Sequence, residues 1–185
     1  MNPGTEYVVL VDKNNNAVGT ALKSEVHTSN TPLHRAFSLF LFNSKGELLL
    51  QQRSHTKKTW PLVWSNSCCG HPMPEEDEVA AVKRRAQYEL GITLDTVHKI
   101  IPNYLYRYEH KGVVEHEFCP VFVTFTDAIP QPNPLEVESI QWQKWEDFLE
   151  EIKTNEKGYS EWCVEEAGLM AKDETFNKLY ASYAK

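Results

Sequence analysis

The stretch Asn66-Ser67-Cys68-Cys69-Gly70-His71-Pro72 sets a thiol, Cys69, and an imidazole, His71, two residues apart. The thiol could serve as a nucleophile or an acid/base group and the imidazole as a metal ligand. Gly70 between them gives the backbone room to bend so that both side chains reach one site. Further on, Glu115 and Glu117 occupy alternate positions of a β-rich run, so they project from one face of a strand with His116 opposite. Two carboxylates at that spacing are poorly placed for a core unless a cation neutralises them. Cys119 and Val121 continue the same face in apolar character, the pattern of a pocket mouth. His27 and His34 join His71 to make three imidazoles available to the two carboxylates. A mixed nitrogen and oxygen set of this kind suits Mn2+, Mg2+ or Zn2+. Arg53, Lys57, Lys58 and Arg85 flank the same segments, and cations so grouped can clamp phosphate. The combination points to metal-assisted acid/base chemistry.

Taken singly, these residues have ordinary structural readings. Free cysteines are mostly small buried hydrophobes, and one of the adjacent pair fits that role. Arg85 stands four residues before Glu89, the spacing of an intrahelical ion pair. No C-x-x-C occurs, which argues against a structural zinc site.

The elements that must position these groups follow from periodicity. Glu75 to Leu90 reads as a helix, with Val79, Val82, Ala86 and Leu90 in one apolar stripe, acidic residues in its first turn and Gly91 as its stop. Glu89 lies at the edge of that stripe. Glu6 to Asp12 and Ala17 to Leu22 read as strands, and Ala36 to Asn43 with Glu47 to Arg53 as a hairpin across Ser44-Lys45-Gly46. Lys57 to Pro74 reads as irregular backbone, Lys99 to His110 and Glu115 to Asp127 as strands, and Val137 to Trp145 as a last strand. Three C-terminal helices follow, Glu146 to Lys153, Glu161 to Lys172 and Glu174 to Ala184, and Pro130 to Pro134 is a stiff connector.

The chain's 185 residues suit one domain, residues 1–185, with ordinary proportions of apolar (41%) and charged (24%) side chains. A net charge of −7 opposes non-specific nucleic-acid binding, so an anionic ligand must be held by a local cationic cluster. Cys68, Cys69, Cys119 and Cys163 form no paired framework, Met1 to Asp12 lacks a basic signal-like region, and Phe37 to Phe42 is too short an apolar run to span a bilayer. The expectation is a cytoplasmic protein, without membrane or nucleic-acid partners, that is a monomer or weak dimer.

From Gly70 to Ile92 the chain resembles a Nudix box, G-x5-E-x7-R-E-U-x-E-E-x-G-U. Gly70, Glu76, Arg84, Glu89, Gly91 and Ile92 match it, while Arg85 and Tyr88 stand where the pattern has glutamates. With Lys57-Lys58-Thr59-Trp60-Pro61, Trp64 to Pro72, and Val114-Glu115-His116-Glu117-Phe118-Cys119-Pro120 added, the chain is similar throughout to the type I isopentenyl-diphosphate Δ-isomerase family, in its compact bacterial form. The resemblance implies an α+β fold with a Nudix-like mixed sheet flanked by helices. It also implies interconversion of homoallylic and allylic diphosphates through a carbocation. By position it makes Cys69 and Glu117 catalytic, with Tyr106 beside them. Its metal residues are His27, His34, His71, Glu115, Glu117 and Cys69, and Glu89 belongs to a Mg2+ that accompanies the substrate diphosphate. Lys23, Arg53, Lys57 and Arg85 become diphosphate contacts, and Trp162 an active-site aromatic. The rivals are a Nudix hydrolase of organic diphosphates, which Arg85 and Tyr88 oppose, and a Nudix-fold binding module without turnover.

Overall fold

A computed structural model describes residues 6–184. Among these, the chain runs β1 (Tyr7–Val11), β2 (Ala17–Leu22), α1 (Lys23–Val26), β3 (His34–Arg35), β4 (Phe37–Phe42), β5 (Glu47–Arg53), β6 (Trp64–Ser65) and β7 (Cys68–Gly70). There follow α2 (Glu78–Leu90), β8 (His98–Ile101), β9 (Leu105–His110), β10 (Val113–Phe118), β11 (Val121–Phe125), β12 (Val137–Lys144), α3 (Trp145–Thr154), α4 (Glu161–Met170) and α5 (Glu174–Tyr183).

Two mixed sheets result. The smaller has the order β2-β1-β3-β10-β9, and the larger β12-β5-β4-β11-β8 with β6 and β7 attached to β5 and β4. Parallel pairing of β10 with β3 and of β11 with β4 makes both sheets mixed. β4, Phe-Ser-Leu-Phe-Leu-Phe, is buried along its whole length because both its faces are covered. Phe37, Leu39 and Leu41 pack with Val82, Ala86 and Leu90 of α2. Phe40 and Phe42 pack on the other face with Trp145, Phe148, Trp162 and Phe176 from the C-terminal helices.

Several elements differ from the sequence expectation. The hairpin of β4 and β5 is joined in register only at Phe42 and Leu48 and then splays. The segment expected to be irregular fills the gap as two short strands, β7 pairing with β4 (Ser38 opposite Cys69) and β6 with β5. The single strand expected from Glu115 to Asp127 is two, because Pro120 has no N–H to donate and the chain leaves one sheet for the other there. Likewise Lys99 to His110 divides into β8 and β9. α2 begins at Glu78, later than expected: Glu75 has φ +65°, and Asp77 caps the helix by accepting the Ala80 N–H at 3.0 Å. Gly91 ends it in the left-handed conformation, φ +67°. The proline-rich connector then docks on that end, the Gln131 and Asn133 N–H groups reaching the Leu90 and Glu89 carbonyls at 2.7 and 2.8 Å.

Candidate active site

Three imidazoles and two carboxylates converge where β3 lies between β1 and β10. The parallel register sets His34 beside Glu117. The loop before β3 is tied down by Thr31, whose hydroxyl donates to the Val114 carbonyl at 2.6 Å, bringing His27 to Glu115. His27 Nε2 stands 3.1 Å from Glu115 Oε2, His71 Nε2 3.0 Å from Glu117 Oε1, and His34 Nε2 3.5 Å from the same oxygen. Donor atoms of His27, His34, His71 and Glu117 all lie within 4.8 Å of one another.

The hydrogen bonding shows what this cluster lacks. His34 Nδ1 lies 2.9 Å from the Pro32 carbonyl, which can only accept, so Nδ1 carries the proton and Nε2 offers a lone pair to a carboxylate. His27 Nε2, His34 Nε2 and Glu115 Oε2 are buried without a hydrogen-bond partner among the described residues. A proton or a cation must lie between such groups. Burial pushes His71 down to about 3, keeping it neutral despite Glu117. Burial also opposes ionisation of Glu117, but the imidazoles of His34 and His71 beside it outweigh that and hold the carboxyl well below the usual range. A neutral imidazole at His71 beside the ionised Glu117, with the unpartnered His27 and His34 nitrogens facing the same point, is a donor set that fits a divalent ion.

Glu117 faces two ways. Tyr106, its register partner on β9, donates its hydroxyl to Glu117 Oε2 at 2.6 Å, while Oε1 meets the imidazoles. Burial first, and the neighbouring Glu117 next, raise the Tyr106 phenol well above its ordinary value, so it keeps its proton. Tyr106 stacks on the Trp162 indole with ring centroids 5.7 Å apart and an interplanar angle of 16°. Cys69, delivered by β7, has its Sγ 3.2 Å from Asn66 Oδ1 and 3.7 Å from Ser38 Oγ. Burial pushes its thiol up to about 12, which makes it a proton carrier rather than a standing thiolate. Cys68 is fully buried in the apolar cluster beneath α2.

Cys69, His71, Tyr106, Glu115, Glu117 and Trp162 line one cleft of about 550 Å³, together with His27 and the cations Lys23, Arg53, Lys57 and Arg85. His34 is buried behind this wall, and so is Glu89, 1% exposed. The Glu89 carboxylate is met by Arg85 and, at 3.9 Å, by Lys57, with Gln51 Nε2 at 3.4 Å. An ion held by Glu89 would require those contacts to open. Arg53 is held by the Thr59 carbonyl, at 3.1 Å from Nε and 2.8 Å from Nη2, and lies 5.8 Å from the Trp162 ring centroid.

Three polar residues here had no role in the sequence reading. Glu136 pairs with Lys57 and, at 3.3 Å, with Arg85, brought there by the docked connector. Glu166 is fully buried near Cys69, and Asn66 contacts both Cys69 and Trp162. Asn66 lies within the first motif, the one local signal among the three; the other two reach the site by tertiary packing.

The chain matches the NUDIX domain family over residues 32–163. An isopentenyl-diphosphate Delta-isomerase of Saccharopolyspora erythraea is 45% identical over 168 residues, covering 90% of this chain and 87% of that protein. The protein of the same name from Salmonella arizonae is 41% identical over 180 residues, 97% of each chain. Among crystal structures, DR0079 of Deinococcus radiodurans superposes with a TM-score of 0.71 at 22% identity, covering 89% of this chain and 98% of that one. The MutT protein of Methanosarcina mazei Go1 gives 0.61 at 23%, covering 77% and 97%. These two likenesses speak to the fold. Relatives of that identity along most of the chain, joined to a Nudix fold and the cleft it encloses, place this protein in the isopentenyl-diphosphate Delta-isomerase family.

Proposed function

We propose that this enzyme interconverts isopentenyl diphosphate and dimethylallyl diphosphate, and that Cys69 and Glu117 with Tyr106 carry the protons. The terminal alkene carbon gains a proton, positive charge resides on the adjoining tertiary carbon, and the next carbon loses a proton to restore a double bond. One proton enters and one leaves, so two proton-bearing groups must change state in each turnover. The observation that carries the reading is that Cys69 and the hydrogen-bonded pair Tyr106–Glu117 line one cleft from different strands, with the Trp162 indole among them. The indole face would stabilise the cation by about 2 kcal/mol or more once water is excluded. Lys23, Arg53, Lys57 and Arg85 would hold the diphosphate and so orient a hydrocarbon too small to orient itself.

His27, His34, His71, Glu115 and Glu117 would hold one divalent ion, Mn2+, Mg2+ or Zn2+, which as a Lewis acid would tune the acidity of Glu117. Mg2+ would accompany the substrate diphosphate. Hydrolysis is the weaker reading, since Arg85 and Tyr88 stand in place of metal-binding glutamates and Arg85 is paired with Glu89. We read residues 1–185 as one domain working in the cytoplasm as a monomer or weak dimer. The test is incubation of the protein and Mg2+ with isopentenyl diphosphate. Dimethylallyl diphosphate should accumulate without phosphate release, and phosphate release without isomer would reverse the assignment.

A further inference from the structure

We propose that Asn66 is a positioning residue that fixes the Cys69 thiol and the Trp162 indole relative to each other, an inference that rests on the isomerase reading. Asn66 is fully buried in the turn between β6 and β7. Its Nδ2 donates to the carbonyls of Leu39 and Cys68, both at 3.2 Å. Its Oδ1 accepts from Ser65 Oγ at 2.8 Å, from Cys69 Sγ at 3.2 Å and from Trp162 Nε1 at 3.2 Å. The orientation of the amide is dictated from both ends, because backbone carbonyls can only accept and an indole N–H can only donate.

The amide thereby joins three elements. Leu39 belongs to β4, Cys68 and Cys69 to β7, and Trp162 to α4. Ser65 extends the network, its hydroxyl lying 2.8 Å from that of Ser160, the residue preceding α4. The helix and the strand that carry the two groups thus share one acceptor atom. A proton delivered to carbon by the thiol creates a charge that the indole must face at that moment. Displacement of either by about 1 Å costs on the order of 10²-fold in rate. A residue serving only the core would affect stability and leave this pairing alone.

The test combines kinetics with thiol chemistry in Asn66→Ala, Asn66→Ser, Trp162→Phe and the double variant Asn66→Ala/Trp162→Phe. Asn66→Ala should lower kcat by roughly 30- to 100-fold while KM stays within about threefold, because the diphosphate cations are untouched. Trp162→Phe keeps a ring and removes the N–H, so the double variant should be hardly worse than the poorer single variant. Multiplying losses, or an unchanged kcat in Asn66→Ala, overturn the inference. Cys69 alkylation by iodoacetamide, located by mass spectrometry, reads the same contact without turnover. Freed from a hydrogen bond of about 1 kcal/mol, Cys69 should react about fivefold faster in Asn66→Ala, and an unchanged rate again overturns it. Should Asn66→Ala fail to fold, Asn66→Ser, whose hydroxyl is too short to reach both partners, is read by the same criteria. A wild-type protein without isomerase activity would refute the functional reading, and alkylation would then decide the Asn66 contact alone.

Discussion

Cys68 and Cys69 are neighbours in sequence with opposite surroundings, one in the apolar layer under α2 and the other on the cleft wall. Cys69→Ala should therefore abolish isomerisation while the fold and metal content persist, because a methyl group cannot exchange a proton. Cys68→Ala should keep most activity and cost about 1 kcal/mol of packing. Comparable kcat losses in the two variants would contradict the assignment. His71→Ala should release a tightly held divalent ion, read by metal analysis of the purified protein, because it removes a neutral imidazole from the cluster. Glu89→Gln tests a different contact. It leaves buried Arg85 with Glu136 as its one carboxylate partner among the described residues, so urea denaturation should show a loss of about 3 kcal/mol, and a change below 1 kcal/mol would mean that Glu136 suffices. At this scale the alternation of Glu115 and Glu117 was legible because a strand's period of two is local. Glu136 and Glu166 were not, because their burial depends on segments far away in sequence.

The elements divide in the same way. α2 was legible from its apolar stripe, and its stop from Gly91, since both signals lie within a few residues. Gly91→Ala should destabilise by about 1–2 kcal/mol from the left-handed backbone alone. An added Cβ would also sit 2.9 Å from Gln131 Cβ and press the connector off the helix end. A denaturation midpoint equal to wild type would contradict this. The break at Pro120 was signalled by its missing N–H, although the apolar pattern runs on through Val121. β3, β6 and β7 had no such signal. They are two or three residues long and exist as strands only through pairing with distant partners, so the position of Cys69 could not be read from its own segment.

Across the whole molecule, Glu166 sets an expected pH response. It is fully buried and, among the described residues, neither carboxylate oxygen has an aligned hydrogen-bond partner, though Ser38 and Cys119 lie beside it. Burial, more than any neighbour, raises its pKa well above the usual carboxylate value. The folded state then keeps a proton that the unfolded chain releases above about pH 4.5. The stability this gives is full below that pH and is lost at about 1.4 kcal/mol per pH unit as pH rises toward the folded value. Glu166→Gln removes the effect, so its Tm advantage over wild type should be small near pH 4 and widen toward neutrality. Parallel curves would refute it. The splayed hairpin has a kinetic counterpart. β4 is completed by β7 and by β11, whose register sets Val121 opposite Ser38, so the strand beneath Cys69 is assembled from contacts distant along the chain. Such pairing is slow to form. On refolding from urea, helical ellipticity should return first and catalytic turnover later, with the pairing of β4 and β11 closing last.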